Sequence, residues 1–314
     1  ALHLAKIFSK SPYFIEQASF TLSLIPYIYQ KKPDIIYFSD GTVGNILWHW
    51  RNLTHQSYKL LFSNGAPFFP PFSPYCDYTQ QLTPSHLQTA IDKGLSPDRQ
   101  TLLPYGIKVS SKLPILSEQE RKILKRQLEL PENQFLILSV GAINKVHKRM
   151  DYVIQEIATL PEPRPYLILL GEQDAESPEV IQLAYQLLGY QGFKVNTVSS
   201  EQVKDYYKVA NAFVLASLSE GLCRVLLEAM SYGLPCLAHN YEVPKFILGK
   251  HGYLADFNLS GSLKNLIEEI LFKSNDTDQS LRFHHHIYHK FSWEKLASDY
   301  VKMFENVMSL QLSL

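Results

Sequence analysis

The chain carries no surplus of either charge, with 30 lysines and arginines against 30 aspartates and glutamates in 314 residues. Such a balance supplies no long-range attraction for nucleic acid, and no nucleic-acid partner is expected. Cysteine is scarce, and Cys76, Cys223 and Cys236 stand far apart with no C-x-x-C spacing. That argues against a disulfide framework and a zinc site, and a reducing, cytoplasmic setting is the simpler expectation. Among the 14 glycines there is no G-x-G-x-x-G and no Walker loop. No run reaches the ~18 apolar residues of a membrane span. The apolar stretch 20–29 is broken by Ser23 and Pro26. No basic region with a small-residue cleavage site precedes it, and nothing indicates peripheral membrane contact. An initiating methionine is also missing, the chain opening Ala-Leu-His. What is present is ordinary for a globular protein: 46% hydrophobic and 19% charged residues, with 12% aromatic. Disorder is excluded, and the length suggests two domains at roughly 150 residues each.

Short apolar runs alternate with helical patterns. Residues 35–38, 60–62, 135–140, 166–170 and 212–216 read as buried strands, each stopping at Gly, Asn or Ser. Residues 150–160, 177–188 and 201–209 read as helices between them. This alternation predicts an α/β protein of doubly wound parallel sheets with helices on both faces. The boundary falls within 103–130, giving domains 1–112 and 113–290. The closing helix, 291–314, has Trp293, Leu296, Ala297, Tyr300, Phe304 and Val307 at helical spacing. The first domain offers only strands 35–38 and 60–62 and an edge candidate at 101–103. It lacks an amino-terminal strand ending in a glycine-rich turn, so the natural polypeptide is expected to extend upstream. In parallel sheets ligands bind beyond the carboxyl ends of the strands, which makes the turns the places to look.

The densest signal is Ser219-Glu220-Gly221-Leu222-Cys223-Arg224-Val225-Leu226-Leu227-Glu228, which follows strand 212–216 and opens a helix. Free N–H groups near Gly221, Leu222 and Cys223 suit an anion, aided by the helix dipole, and Gly221 permits close approach. Glu220 falls beside that ligand and Glu228 about two turns into the helix, where both suit sugar hydroxyls. Taken alone, the pair also fits a helix-start cap and a solvated-face glutamate.

Glu220 and Glu228 match an E-x7-E motif, and with it the second half resembles retaining family 4 glycosyltransferases of the GT-B fold. The likeness extends through Leu138-Ser139-Val140-Gly141 with Lys148, Leu169-Leu170-Gly171-Glu172, 199–217, 231–236, 241–244 and Phe291-Ser292-Trp293. It implies two Rossmann-like domains facing a cleft, the N-terminal one incomplete and on the acceptor side. It implies transfer of a hexosyl group from a nucleotide diphosphate sugar to a sugar or other hydroxyl acceptor, without metal or further cofactor. Glu220 then lies beside the donor sugar, Glu228 bonds the nucleotide ribose, Lys148 neutralises the diphosphate, and Gly141 gives the close turn. Glu220 and Lys148 are the catalytic candidates, and Val198 and Ser199 border the nucleobase. The pattern departs at Ala142, where an arginine is usual, so Lys145 or Arg149 is expected to supply the charge. Leu222-Cys223 replace Phe-Gly, and Asn64 stands where a histidine is common. These departures leave open a non-catalytic nucleotide-sugar-binding protein and, less well matched, a nucleotide-sugar epimerase.

Weaker signals remain in the first domain. Gly41 opens a G-x-x-G turn, and Asn64 and Gly65 start a proline-rich aromatic loop that suits a sugar acceptor or a packed surface. His284-His285-His286 with His289 include an i,i+4 pair of metal-ligand spacing, but a solvated helical face explains them better. No metal site is assigned.

Overall fold

A computed structural model of the chain describes residues 11–66, 68–272 and 277–311. It divides into two compact units, one of residues up to Tyr105 together with those from Leu296 onward, the other Gly106–Lys295. Residues 106–112 and 291–295 thus belong with the second unit rather than where the sequence division puts them. The reason is local: Ile107 pairs with Ser292, Ile107 N–H donates to Phe291 O, and Trp293 N–H donates to Ile107 O.

In the first unit the order is α1 (Pro12–Lys31), β1 (Ile35–Phe38), α2 (Gly41–Thr54), β2 (Lys59–Asn64), β3 (Tyr78–Gln81), α3 (Pro84–Asp92) and β4 (Gln100–Leu102). The strands pair in parallel in the order β1-β2-β3-β4. Alternate residues of β2 serve opposite faces. Leu60 and Phe62 join Ile28, Val43 and Leu47 on one side, and Leu61 meets Tyr300, Met303 and Val307 on the other. Those last residues lie on the final helix, whose buried stripe is Leu296, Tyr300, Met303 and Val307, while Trp293 and Ala297 are exposed. Strand β3 is polar in sequence yet wholly buried. Its glutamines are satisfied across the sheet: Asn64 Nδ2 donates to Gln81 Oε1 and Gln81 Nε2 to Gln100 Oε1, both at 2.9 Å. Arg51 and Asp77 form a buried ion pair at 2.5 Å.

The second unit runs α4 (Glu118–Gln127), β5 (Leu136–Val140), α5 (Met150–Ala158), β6 (Tyr166–Leu170), α6 (Ser177–Leu188), β7 (Phe193–Asn196) and α7 (Ser200–Val209). It continues through β8 (Ala212–Leu215), α8 (Arg224–Ser231), β9 (Cys236–His239), α9 (Glu242–Leu248), β10 (Tyr253–Ala255), α10 (Ser262–Phe272) and α11 (Thr277–Phe291), and α12 (Trp293–Ser309) leaves it. The sheet is parallel with order β10-β9-β8-β5-β6-β7. Leu136, Leu138, Phe213 and Leu215 enter one core, while Ile137, Ala212 and Val214 enter the other. The strands are therefore apolar on both faces, as sheets covered by helices on both sides require. Each such fully buried Leu, Ile or Val stabilises the unit by about 1.5–3 kcal/mol. Strand order reverses between β5 and β8, the switch point at which a crevice opens beyond the carboxyl ends. No helix among the described residues is long and apolar enough to cross a membrane.

Candidate active site

The two densest sequence signals sit on either side of that switch point. After β5, Gly141 takes φ +153, where a Cβ would stand 2.9 Å from Cδ and Cε of Lys148. The Lys148 stem therefore lies across this glycine, a path closed to any larger residue. At Gly171, after β6, a Cβ would meet the Gly141 carbonyl oxygen at 1.8 Å, so the two turns are backed against each other.

The loop from Ala142 to Arg149 is built by side chains. Asn144 Oδ1 accepts from the N–H groups of His147 (3.3 Å) and Lys148 (2.8 Å), and Asn144 Nδ2 donates to Asp174 at 3.0 Å. Glu176 accepts from the N–H groups of Lys145 (2.7 Å) and Val146 (3.0 Å). Asn144, Asp174 and Glu176 were not singled out in the sequence; their polarity reads there as ordinary loop composition. Lys148 Nζ then donates to Glu220 Oε1, with side-chain exposures of 15% and 14%. His147 Nε2 lies 4.0 Å from the same oxygen. Of the two cations expected to replace an arginine at Ala142, Lys145 pairs with Glu179. Arg149 donates to Phe257 O at 3.0 Å and stacks over the Tyr152 ring.

After β8 the chain runs through Ser217 to Glu220, Gly221 and Leu222, and α8 starts at Arg224, preceded by Cys223. No hydrogen bond engages the N–H groups of Gly221, Leu222 or Cys223 among the described residues, which leaves them for a ligand at the helix start. The Cys223 side chain turns inward: it is 2% exposed, with Sγ 3.6 Å from the Tyr241 hydroxyl. Burial pushes its thiol up to about 12, which disfavours a reactive thiolate. Burial also raises the Tyr241 phenol. Ser217 Oγ is buried without a hydrogen-bond partner at the end of β8, and Asp151 Oδ1 is likewise unpaired on α5.

Because α8 begins at Arg224, Glu228 is little more than one turn into the helix, not two. It is half-buried, and Oε2 accepts from the Tyr207 hydroxyl at 3.3 Å. Burial holds its carboxyl above the usual range, opposed by Arg224, Tyr207 and Lys204. The other end of α8 is clamped. His284, fully buried on α11, meets Ser231 O through Nδ1 at 2.5 Å, and His286 meets Ile247 O, near the end of α9, through Nε2 at 2.8 Å. The solvated-face expectation holds for His285 and His289 alone. Among the described residues no three His, Cys, Asp or Glu side chains group as metal ligands.

Val198 is half-buried against the core, and Ser199 caps α7 through a capping box with Gln202. Thr197 Oγ1 donates to Gly171 O at 2.8 Å, which ties this segment to the glycine turns. In the first unit, Gly41 begins α2 behind the cap Asp40. Asn64 is buried and turned inward, accepting from Phe68 N–H at 2.8 Å and donating to Phe68 O and Gln81. Gly65 lies under Tyr105, whose hydroxyl is 3.1 Å from the position of a Cβ. Pro67 of the same loop lies outside the described residues.

A family model described as "Glycosyl transferases group 1" matches residues 120–282. N-acetyl-alpha-D-glucosaminyl L-malate synthase of Bacillus anthracis is 24% identical over 188 residues, 59% of this chain and 49% of that protein. The chain spans about half the length of the curated relatives it matches. Among solved structures, sucrose-phosphate synthase from Thermosynechococcus elongatus superposes with TM-score 0.78 at 18% identity, covering 95% of this chain and 79% of that one. Anabaena HepE in complex with UDP and glucose gives 0.76 at 15%, covering 92% and 81%. At such identities these two likenesses establish the fold, GT-B.

Proposed function

The chain belongs to the glycosyl transferases group 1 family, and from that premise we propose that it is a retaining glycosyltransferase. It takes a hexosyl group from a nucleotide diphosphate sugar and delivers it to an acceptor hydroxyl. One observation carries this reading: the Lys148–Glu220 pair joins the β5 and β8 turns at the switch point, beside unspent N–H groups. Lys148 and the N–H groups of Gly221, Leu222 and Cys223 meet the negative charge that develops on the departing diphosphate. With fixed cation and dipole aimed at the leaving group, the reading assigns no metal ion and no further cofactor to the step. Glu220 stands beside the donor sugar and Glu228 holds the ribose. Val198 and Ser199 border the base, and Gly141 lets Lys148 reach the phosphates. Lys145 and Arg149, engaged with Glu179 and Phe257, steady the loop rather than bind the donor.

The acceptor oxygen bonds to the anomeric carbon on the face from which the diphosphate leaves. The bond from that carbon to the phosphate oxygen breaks, and the freed oxygen takes the acceptor's proton, so configuration is retained. The first unit, with Gly41 and Gly65 at its turns, receives the acceptor. The UDP and glucose bound to the Anabaena neighbour support UDP-sugars as the first donors to test. The test is donor turnover by Glu220→Ala and Lys148→Ala; wild-type turnover in both overturns the site assignment.

A further inference from the structure

We propose that Tyr207 is a positioning residue of this site, its hydroxyl fixing the Glu228 carboxylate for the nucleotide ribose. The inference rests on the ribose role given to Glu228 and adds the group that sets its direction. Tyr207 stands near the carboxyl end of α7, in the helix that Ser199 caps. Its ring is 2% exposed, stacked on Tyr232 at 5.5 Å and tilted against Phe213 at 6.0 Å. A ring so held delivers its hydroxyl to one place, 3.3 Å from Glu228 Oε2. Among the described residues this is the one hydrogen bond to that carboxylate, and Oε1 is left for a ligand. A vicinal diol donates to a carboxylate oxygen, and it does so best when the carboxylate cannot rotate away.

The same contact predicts a pH signature. Arg224 of α8 and Lys204 of α7 face Glu228 and, with the Tyr207 hydroxyl, favour its charged form, while burial opposes it. The Tyr232 phenol, raised chiefly by burial, also feels the Glu228 charge, with Asp205 and Glu201 acting on it too. Removing the Tyr207 hydroxyl withdraws one stabiliser of the carboxylate, which then takes up its proton at higher pH.

The experiment titrates the full chain with UDP, ADP and GDP by calorimetry from pH 5.5 to 8.5, using Tyr207→Phe, Tyr232→Phe and Glu228→Gln. Tyr207→Phe keeps the ring and is expected to weaken binding about 10-fold at the acid end, with a smaller loss at pH 8.5. Its acid limb moves to higher pH. Tyr232→Phe keeps the wild-type profile, and Glu228→Gln binds weakly with a flat profile. A wild-type profile in Tyr207→Phe overturns this inference alone. Wild-type affinity in Glu228→Gln, or binding of none of the three nucleotides, overturns the donor reading beneath it.

Discussion

Lys148 and Glu220 are expected to answer opposite in sign when nucleotide binding is measured. The ammonium of Lys148 is engaged by Glu220, and both side chains are about six-sevenths buried, at 15% and 14% exposure. On the proposed reading an incoming diphosphate has to share that cation. Lys148→Met removes the attraction and leaves Glu220 facing the phosphates, so binding of a nucleoside diphosphate should fall by about 100-fold, some 2.7 kcal/mol. Glu220→Gln frees the ammonium and removes a repelling carboxylate, so binding should tighten by about 3- to 10-fold while sugar transfer falls by at least ~100-fold. Stability gives an independent measure. The pair lies between an exposed ion pair and a fully buried one, so each single change should cost about 1–3 kcal/mol and the double change less than the sum. Calorimetric titration with UDP, ADP and GDP and urea unfolding measure both quantities. Nucleotide binding weakened to a similar extent by Glu220→Gln and Lys148→Met would refute the reasoning, because Glu220 would then be a binding group rather than a competitor.

Gly141→Ala places a Cβ 2.9 Å from the Lys148 stem at φ +153; turnover should drop at least ~10-fold with about 1–3 kcal/mol of stability lost, as read by kinetics and urea unfolding. Arg51→Met leaves Asp77 charged and buried, and the expected loss of about 3–5 kcal/mol is checked by the same unfolding curve. Glu228 has a raised carboxyl in the fold, so the folded chain holds its proton to higher pH than the unfolded one. Stability from this group is present at low pH and lost as pH rises from the unfolded to the folded value, so Glu228→Gln should melt higher than wild type at pH 7. That difference should vanish below the ordinary carboxylate range when melts are compared at pH 3.5–7.

The second unit was legible because its strands are apolar on both faces and end at glycine or serine: β5, β6 and β8 stand within a residue of their expected bounds. Strand β3 was not, because Tyr78-Thr79-Gln80-Gln81 carries no hydrophobic signal. Its burial is sustained by amide bonds to Asn64, Gln100, Leu103 and Tyr300 that no local pattern announces. Strands β7 and β10 were also missed, being largely half-exposed, and so was β9, whose buried Cys236, Leu237 and Ala238 follow directly on Pro235. At the site, the family resemblance singled out Lys148 and Glu220, residues 72 positions apart that meet in one ion pair. It could not reveal that Lys145 and Arg149 are spent on Glu179, Phe257 and Tyr152, since a cation's partners come from elements far along the chain. Nor could it separate His284 and His286 from their neighbours. Four histidines of one helix look alike until α11 is laid against the ends of α8 and α9.

That contact makes α8 a rod fixed at its rear. Its leading end sets the loop of Glu220 and the bearing of Glu228, while His284 grips its last carbonyl. In the proposed site a loosening at this grip is expected to shift that leading end, so alignment there depends on a contact behind it. Variants that fail at His284 should therefore look like active-site variants in kinetics while leaving every ligand-facing side chain unchanged. In a directed-evolution library, α11 is accordingly a place to retune geometry without touching chemistry.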